Sequence, residues 1–358
     1  MSNATPVIVG SSGTPAIDVG AGRGTPVQGV SAGNATPIVL VSNGRGLPIS
    51  FVGGTFFFLG GSLPPGATLT RASTGWYFDS SGVLQSASTD VARFTHNPGT
   101  LALEGLLVEP AATNSIRNAS AGGAVPGTPG TAPTNWVVTS SLNNVTREII
   151  GTGTEDGIPY IDVKYSGTPN ATATIAIRSE ATSIVAATLG QTWVAGQFVR
   201  LVGGTLTNLT NIATVILEAN SGGIVVASGS AATAPTSAAL RTQWFKYTRV
   251  LSNVTVAFVA QDFRFTHTNG QAIDATFRIG LPQLVQAPAA SSPIVTTSAA
   301  ITRAADVLSL ALVDGTYSID ITRASGVTNL TGVAVSGGSY TVPTDVSPLQ
   351  SVIARRTA

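Results

Sequence analysis

Cysteine is absent from the 358 residues, and charge is scarce. Only 10% of the chain is Asp, Glu, Lys or Arg, against about 25% in an ordinary globular domain. Without cysteine there is no disulfide framework and no thiolate metal site, so stability has to come from burial and association. The scarcity of charge does not signal disorder, because disordered chains combine low hydrophobicity with high net charge and this chain is 43% hydrophobic. A net charge of +1 offers no electrostatic reason to expect nucleic acid or an anionic membrane as partner. No run of 18 apolar residues occurs, so no membrane span is expected. Residues 1–20 lack a basic start followed by an apolar stretch, so no secretory signal is expected either.

Catalytic side chains are equally thin. Histidine occurs twice, as His96 and His267, and Gly-x-Ser-x-Gly does not occur. His267 precedes a turn and is expected at the surface. Glu104 and Glu109 are the one carboxylate pair close enough to suggest glycoside cleavage, but positions five apart on a strand face opposite sides. The expectation is a protein that is not an enzyme. Gly20–Gly24 superficially resembles a phosphate loop, yet Thr25 and Pro26 follow in place of a helix, so it reads as a link. Lysine is also rare: 16 of the 18 basic residues are Arg, beside Lys164 and Lys246. Arg suits desolvated interfaces, although codon bias in a GC-rich genome explains the same ratio.

What is present is β-structure. Pro6, Pro15, Pro26, Pro37 and Pro48 each open a short apolar run, spaced 9 residues once and then 11 three times, with glycine-rich links between. Each unit reads as one short strand with proline at its start, where a missing N–H is tolerated. Such strands bury no face alone, and pairing with identical copies is the economical solution. Residues 1–52 are therefore read as an oligomerising anchor. In Phe56-Phe57-Phe58, three consecutive rings cannot all face one way along a strand, though a trimer would bury both faces.

Three segments then carry a resemblance: Thr70–Gln85, Val91–Pro98 and Gly105–Asn114. In this order they resemble a cassette of tailed-bacteriophage structural proteins, the head, neck and tail fibres and spikes. In that family a jelly-roll domain similar to carbohydrate-binding modules follows, and Ile116–Ala119 with Asn135 and Trp136 match its opening. A Thr-Arg-Ala-Ala-Asp like Thr302–Asp306 follows that domain, which implies that the tail returns to pack on residues 62–115. The resemblance covers residues 70–120 in sequence and 116–287 in architecture only. It implies a homotrimeric virion protein made in a bacterial cytoplasm, with capsid, neck or tail proteins as partners of the N-terminus and host-surface glycan as ligand.

Residues 116–287 support a sandwich independently: many short β-rich runs are separated by Gly, Asn, Pro or Ser, with no competing helical period. The expected fold class is all-β, divided into a repeat anchor (1–52), an aromatic strand with the cassette (53–115), a jelly-roll β-sandwich (116–287), and a linker with a small C-terminal β region (288–358). Sugar-binding candidates are Trp136, Trp193, Trp244, Tyr160, Tyr165 and Tyr247, since aromatic faces stack under sugar C–H groups; core packing is the competing reading of each. No cofactor is expected beyond a structural calcium, for which Glu155, Asp156 and Asp274 are the candidate oxygen ligands. The alternatives are a head decoration or collar fibre that binds no sugar, a polysaccharide-degrading tailspike, and a bacterial adhesin.

Overall fold

The computed structural model describes residues 40–42, 48–50 and 53–357. Most of the repeat region, and with it the expected anchor and trimer, lies outside the described residues. Its last two strands lie within them: Leu40–Ser42 and Pro48–Ser50 pair antiparallel, with Val41 opposite Ile49. From Gly53 onward the described chain is strands and turns, with one 3-10 turn at Leu240–Thr242.

Two six-stranded antiparallel sheets form a jelly-roll β-sandwich. The first runs Val137–Val138, Ala173–Arg178, Phe258–His267, Leu209–Ala219 and Val225–Ala232, with Val185–Ala186 added beside Phe258–His267. The second runs Ser141–Leu142, Val145–Glu155, Ile158–Gly167, Ile273–Val285, Thr192–Gly204 and Trp244–Val250. Alternation decides which side chains meet: Phe263 and Phe265 face inward from one sheet, Phe277 and Tyr165 from the other. Phe277 lies 5.1 Å from Phe263 and 5.3 Å from Phe265, ring centre to ring centre, and truncating a ring in such a core costs roughly 3–5 kcal/mol. The sandwich's hairpins use positive-φ residues where the strand twist needs them. Asp156 and Gly157, at φ +50° and +77°, form the two-residue turn that sets Glu155 opposite Ile158.

His267 corrects one expectation. It ends an inward-facing row and is fully buried, with no hydrogen-bond partner for either ring nitrogen among the described residues. Burial lowers its pKa. Because the folded state resists protonation and the unfolded state does not, this contribution is complete above the unfolded value of about 6.5 and is lost as pH falls below it. We predict that the pH 7-to-5 decline in unfolding free energy shrinks in His267→Phe. Parallel urea titrations check this, and an unchanged slope would refute it.

The segments on either side of the sandwich in sequence fold together. Ala67–Thr70 pairs with Val307–Ala311, and Ala112–Asn114 pairs with Ile301–Arg303. Asp345–Arg356 lies between Gly315–Arg323 and Leu103–Val108 and also pairs with Gly54–Phe57. Phe56 and Phe58 enter this second core beside Leu106, Tyr317 and Leu349, while Phe57 faces solvent. The three phenylalanines thus obey simple strand alternation within one chain.

Candidate functional site

The outer face of the second sheet carries two ordered cross-strand rows. In the first, register aligns Gly153, Tyr160, Gly280, Phe198 and Trp244. The glycines are what let the rings lie across the strands. A Cβ on Gly153 would sit 2.6 Å from the Tyr160 hydroxyl, and one on Gly196, next along from Phe198, would meet Trp244 at 2.5 Å. Tyr160 and Trp244 are half-buried, Lys246 stands exposed beside Trp244, and Phe198 between them is covered. Its cover is the Gly75–Phe78 and Leu84–Ala87 hairpin of the cassette, whose Phe78 ring lies 6.2 Å away edge-on.

The second row is ionic: Asp162, Arg278 and Arg200 lie side by side. The Arg278 guanidinium lies 3.6 Å from the Tyr160 ring centre. It donates to both Asp162 oxygens at 2.8 and 2.7 Å and to Glu155 at 2.6 Å. Glu155 also accepts from Arg200 at 2.5 Å and from the Leu240 N–H at 2.9 Å. Burial pushes the Glu155 carboxyl up, but these donors outweigh it and hold it below the usual carboxylate range. The Asp162 hydrogen bonds raise the Arg278 pKa further. Two guanidiniums thus meet two carboxylates, leaving a charge-balanced row of fixed donors and acceptors beside the Tyr160 ring.

The six sequence candidates divide. Trp136, Trp193 and Tyr165 are buried. Trp136 donates Nε1–H to Asn118 O at 2.8 Å, Trp193 to Gln191 Oε1 at 3.1 Å, and the Tyr165 hydroxyl to Thr139 O at 2.7 Å. For these three, core packing replaces the platform reading, because each inward position belongs to the space between the sheets. Tyr160 and Trp244 share the row above. Tyr247 is half-buried at the sandwich edge, its hydroxyl seated over Gly229.

The calcium candidates do not converge either. Glu155 is held by two arginines, Asp156 pairs with Arg241 at 2.9 Å, and Asp274 pairs with Lys164 at 3.3 Å. Among the described residues no three His, Asp or Glu side chains form a metal-sized group. Nor do Glu104 and Glu109 share a site: Glu109 is fully buried against Arg93 and Arg303, while Glu104 accepts from Asn97. Sequence reasoning missed Arg278 and Arg200, whose partners lie far away along the chain. The one local signal was the spaced glycines of Gly151–Gly153 in a strand otherwise rich in β-branched residues.

No family model matches the chain, and no curated protein matches it. Solved structures resemble it in part. The CBM22-1 xylan-binding domain from Paenibacillus barcinonensis Xyn10C shares 12% identity over 49% of this chain and 94% of its own, with a TM-score of 0.29. The family 11 carbohydrate-binding module from Clostridium thermocellum shares 13% over 49% and 94%, with a TM-score of 0.27. The enzymatically active domain of bacteriophage CBA120 tailspike protein 4 shares 13% over 42% of this chain, with a TM-score of 0.28. The chain spans 19% of that tailspike domain's length.

Proposed function

We propose that this chain is a structural fibre or spike protein of a bacteriophage virion, homotrimeric, anchored by residues 1–52 to a capsid, neck or tail protein, with its sandwich displayed to bind host-surface glycan. The observation that carries this reading is that Arg71, Arg93 and Glu109, all inside the segments resembling phage structural proteins, join Arg303 and Asp306 in one buried cluster that ties the cassette to the segment after the sandwich. Phe78 and Asn114 of the same segments then reach the sandwich itself, at Phe198 and at Pro282 and Leu284. The sugar-binding half rests on Tyr160 and Trp244, two half-buried rings of one outer-face row, with balanced ionic groups in the row beside Tyr160, a composition suited to a neutral polyhydroxylated ligand. Binding without cleavage is proposed: a general acid needs a raised pKa, and the Glu155 carboxyl is held low.

Affinity electrophoresis in host-surface polysaccharide tests the sugar reading, with reducing-end release assayed alongside. Trp244→Ala and Tyr160→Ala are each expected to weaken retention about tenfold, the effect of losing roughly 1.4 kcal/mol of stacking. Retention unchanged in both variants would discard this face as the site. The second reading, a collar or head fibre that binds no sugar, is favoured by the burial of Trp136, Trp193 and Tyr165; it predicts no retention at all. Immunogold labelling of purified particles with antibody to residues 116–287 tests the virion assignment.

A further inference from the structure

Three loops meet at one end of the sandwich, residues 182–191, 220–226 and 250–257. Thr182 donates its hydroxyl to Gly223 O at 2.7 Å, and Asn253 donates Nδ2–H to Val226 O at 3.4 Å. The Gly190 N–H donates to Leu251 O, and the Leu251 N–H to Gln191 O, both at 2.9 Å. Beneath them the buried Glu218 carboxylate accepts from Arg249 and from the N–H groups of Ser252 and Asn253 at 3.0 and 2.8 Å. The tip is therefore held in shape from within.

Its outer surface runs against the usual economy of burial. Ile184, Leu189, Ile224, Val225, Val250 and Val254 are all exposed, Ile224 at 66% and Val254 at 83%. None of the three loops contains Asp, Glu, Lys, Arg or His. Single exposed aliphatics are ordinary, but together these leave roughly 500 Å² of aliphatic surface in water, toward the upper end of the largest patch on a typical monomer. A standard interface takes about 800 Å² from each partner, so the Ser, Thr, Asn and Gly rim of the tip would supply the remainder.

Composition narrows the occupant. Segments that enter a membrane interface carry Trp, Tyr or Phe and flanking Lys or Arg; these loops contain no aromatic residue, and the flanking Arg249 is held by the buried Glu218. Sugar needs aromatic faces or charged donors, which sit elsewhere on the sandwich. A neutral aliphatic patch is complementary to itself, since packing like on like desolvates no charge. Most described charges are in any case already spent on internal pairs such as Arg178–Asp262 and Arg249–Glu218. We propose that this tip is a contact between copies of the chain, sandwich against sandwich. The proposal depends neither on sugar binding nor on the anchor.

The absence of cysteine makes the test clean. Val254→Cys and Ile224→Cys are introduced singly into the full chain, with Asn269→Cys, in a turn at the opposite end of the sandwich, as control. Under copper-phenanthroline oxidation the tip variants are expected to form covalent dimers at least tenfold faster than the control. An Ile224→Asp/Val254→Asp double variant is expected to raise the half-dissociation concentration in sedimentation at least tenfold. Circular dichroism checks its fold, and Val254→Ser serves as the milder variant if it misfolds. The proposal fails if the tip variants cross-link no faster than Asn269→Cys, or if the unmodified chain sediments as a monomer. It fails equally if the Val254→Cys thiol resists maleimide without cross-linking, which would assign the cover to the chain's own residues. Sedimentation of the chain with phosphatidylcholine vesicles, lost in the double variant, would assign the tip to lipid and also overturn it.

Discussion

Asp306→Ala is expected to lower unfolding free energy by about 3–5 kcal/mol, the range for removing one partner of a buried ion pair. Three arginines and two carboxylates are packed without solvent: Arg71, Arg93, Arg303, Glu109 and Asp306. Asp306 accepts from Arg71 at 3.2 Å, from Arg93 at 2.6 Å and from the Glu109 N–H at 2.9 Å. The cluster already carries one cation more than its anions, and burial lowers the pKa of both Arg71 and Arg303. Backbone carbonyls absorb part of the excess: Arg71 donates to the carbonyls of Ser73, Ala87 and Ser88, and Arg303 to that of Pro110. Alanine at 306 would leave Arg93 and Arg303 on Glu109 alone and the buried Arg71 guanidinium without its carboxylate. Asp306→Asn keeps an acceptor without the charge and should fall between wild type and alanine. Urea denaturation measures both, and a loss under about 1 kcal/mol for Asp306→Ala would show that the cluster is not needed for stability. The same packing explains Gly75: a Cβ there would meet Arg93 Cδ at 2.8 Å.

Asn114→Ala is expected to be comparably damaging. This fully buried side chain makes four hydrogen bonds across the base of the sandwich. Its Nδ2 donates to Pro282 O at 3.1 Å and Ile294 O at 3.0 Å, and its Oδ1 accepts from the N–H groups of Ile116 and Leu284, both at 3.1 Å. The side chain thus stitches the entry and exit of the sandwich to the strand before it. Removing it strands buried donors and acceptors at about 1–3 kcal/mol each, so a total of roughly 3–5 kcal/mol is expected after partial relaxation. Urea unfolding should show the loss, and Asn114→Asp should not restore it, because a carboxylate cannot donate to the two carbonyls. A variant as stable as wild type would refute the clamp.

The all-β class and the sandwich strands were legible along the chain, because alternation and turn residues are local signals: Phe263 and Phe265 alternate in, and Gly and Asn stand at the hairpins. Asn114, Arg71 and Arg93 were visible as members of a motif but not as a clamp and a charge cluster. Leu284, which Asn114 clamps, and Asp306, which both arginines share, lie 170 to 235 residues away, and no local pattern encodes such pairings. The binding-face candidates show the same boundary. Composition named six rings, yet Trp136 and Trp244 look alike in sequence, since each sits in a β-rich run. Only the tertiary structure separates them: register lines up Gly153, Tyr160, Gly280, Phe198 and Trp244 on one outer face, while Trp136, just before a strand, packs inward and donates to Asn118. His267 was misread for the same reason: a residue beside a turn looks exposed until the opposing strand is known. What the sequence determined by itself was strand character and the absence of thiol chemistry, because propensity and composition act locally. Which side of each sheet meets the other, and so which side chains meet solvent, was decided by tertiary pairing, because a shift of one residue in register exchanges the two faces.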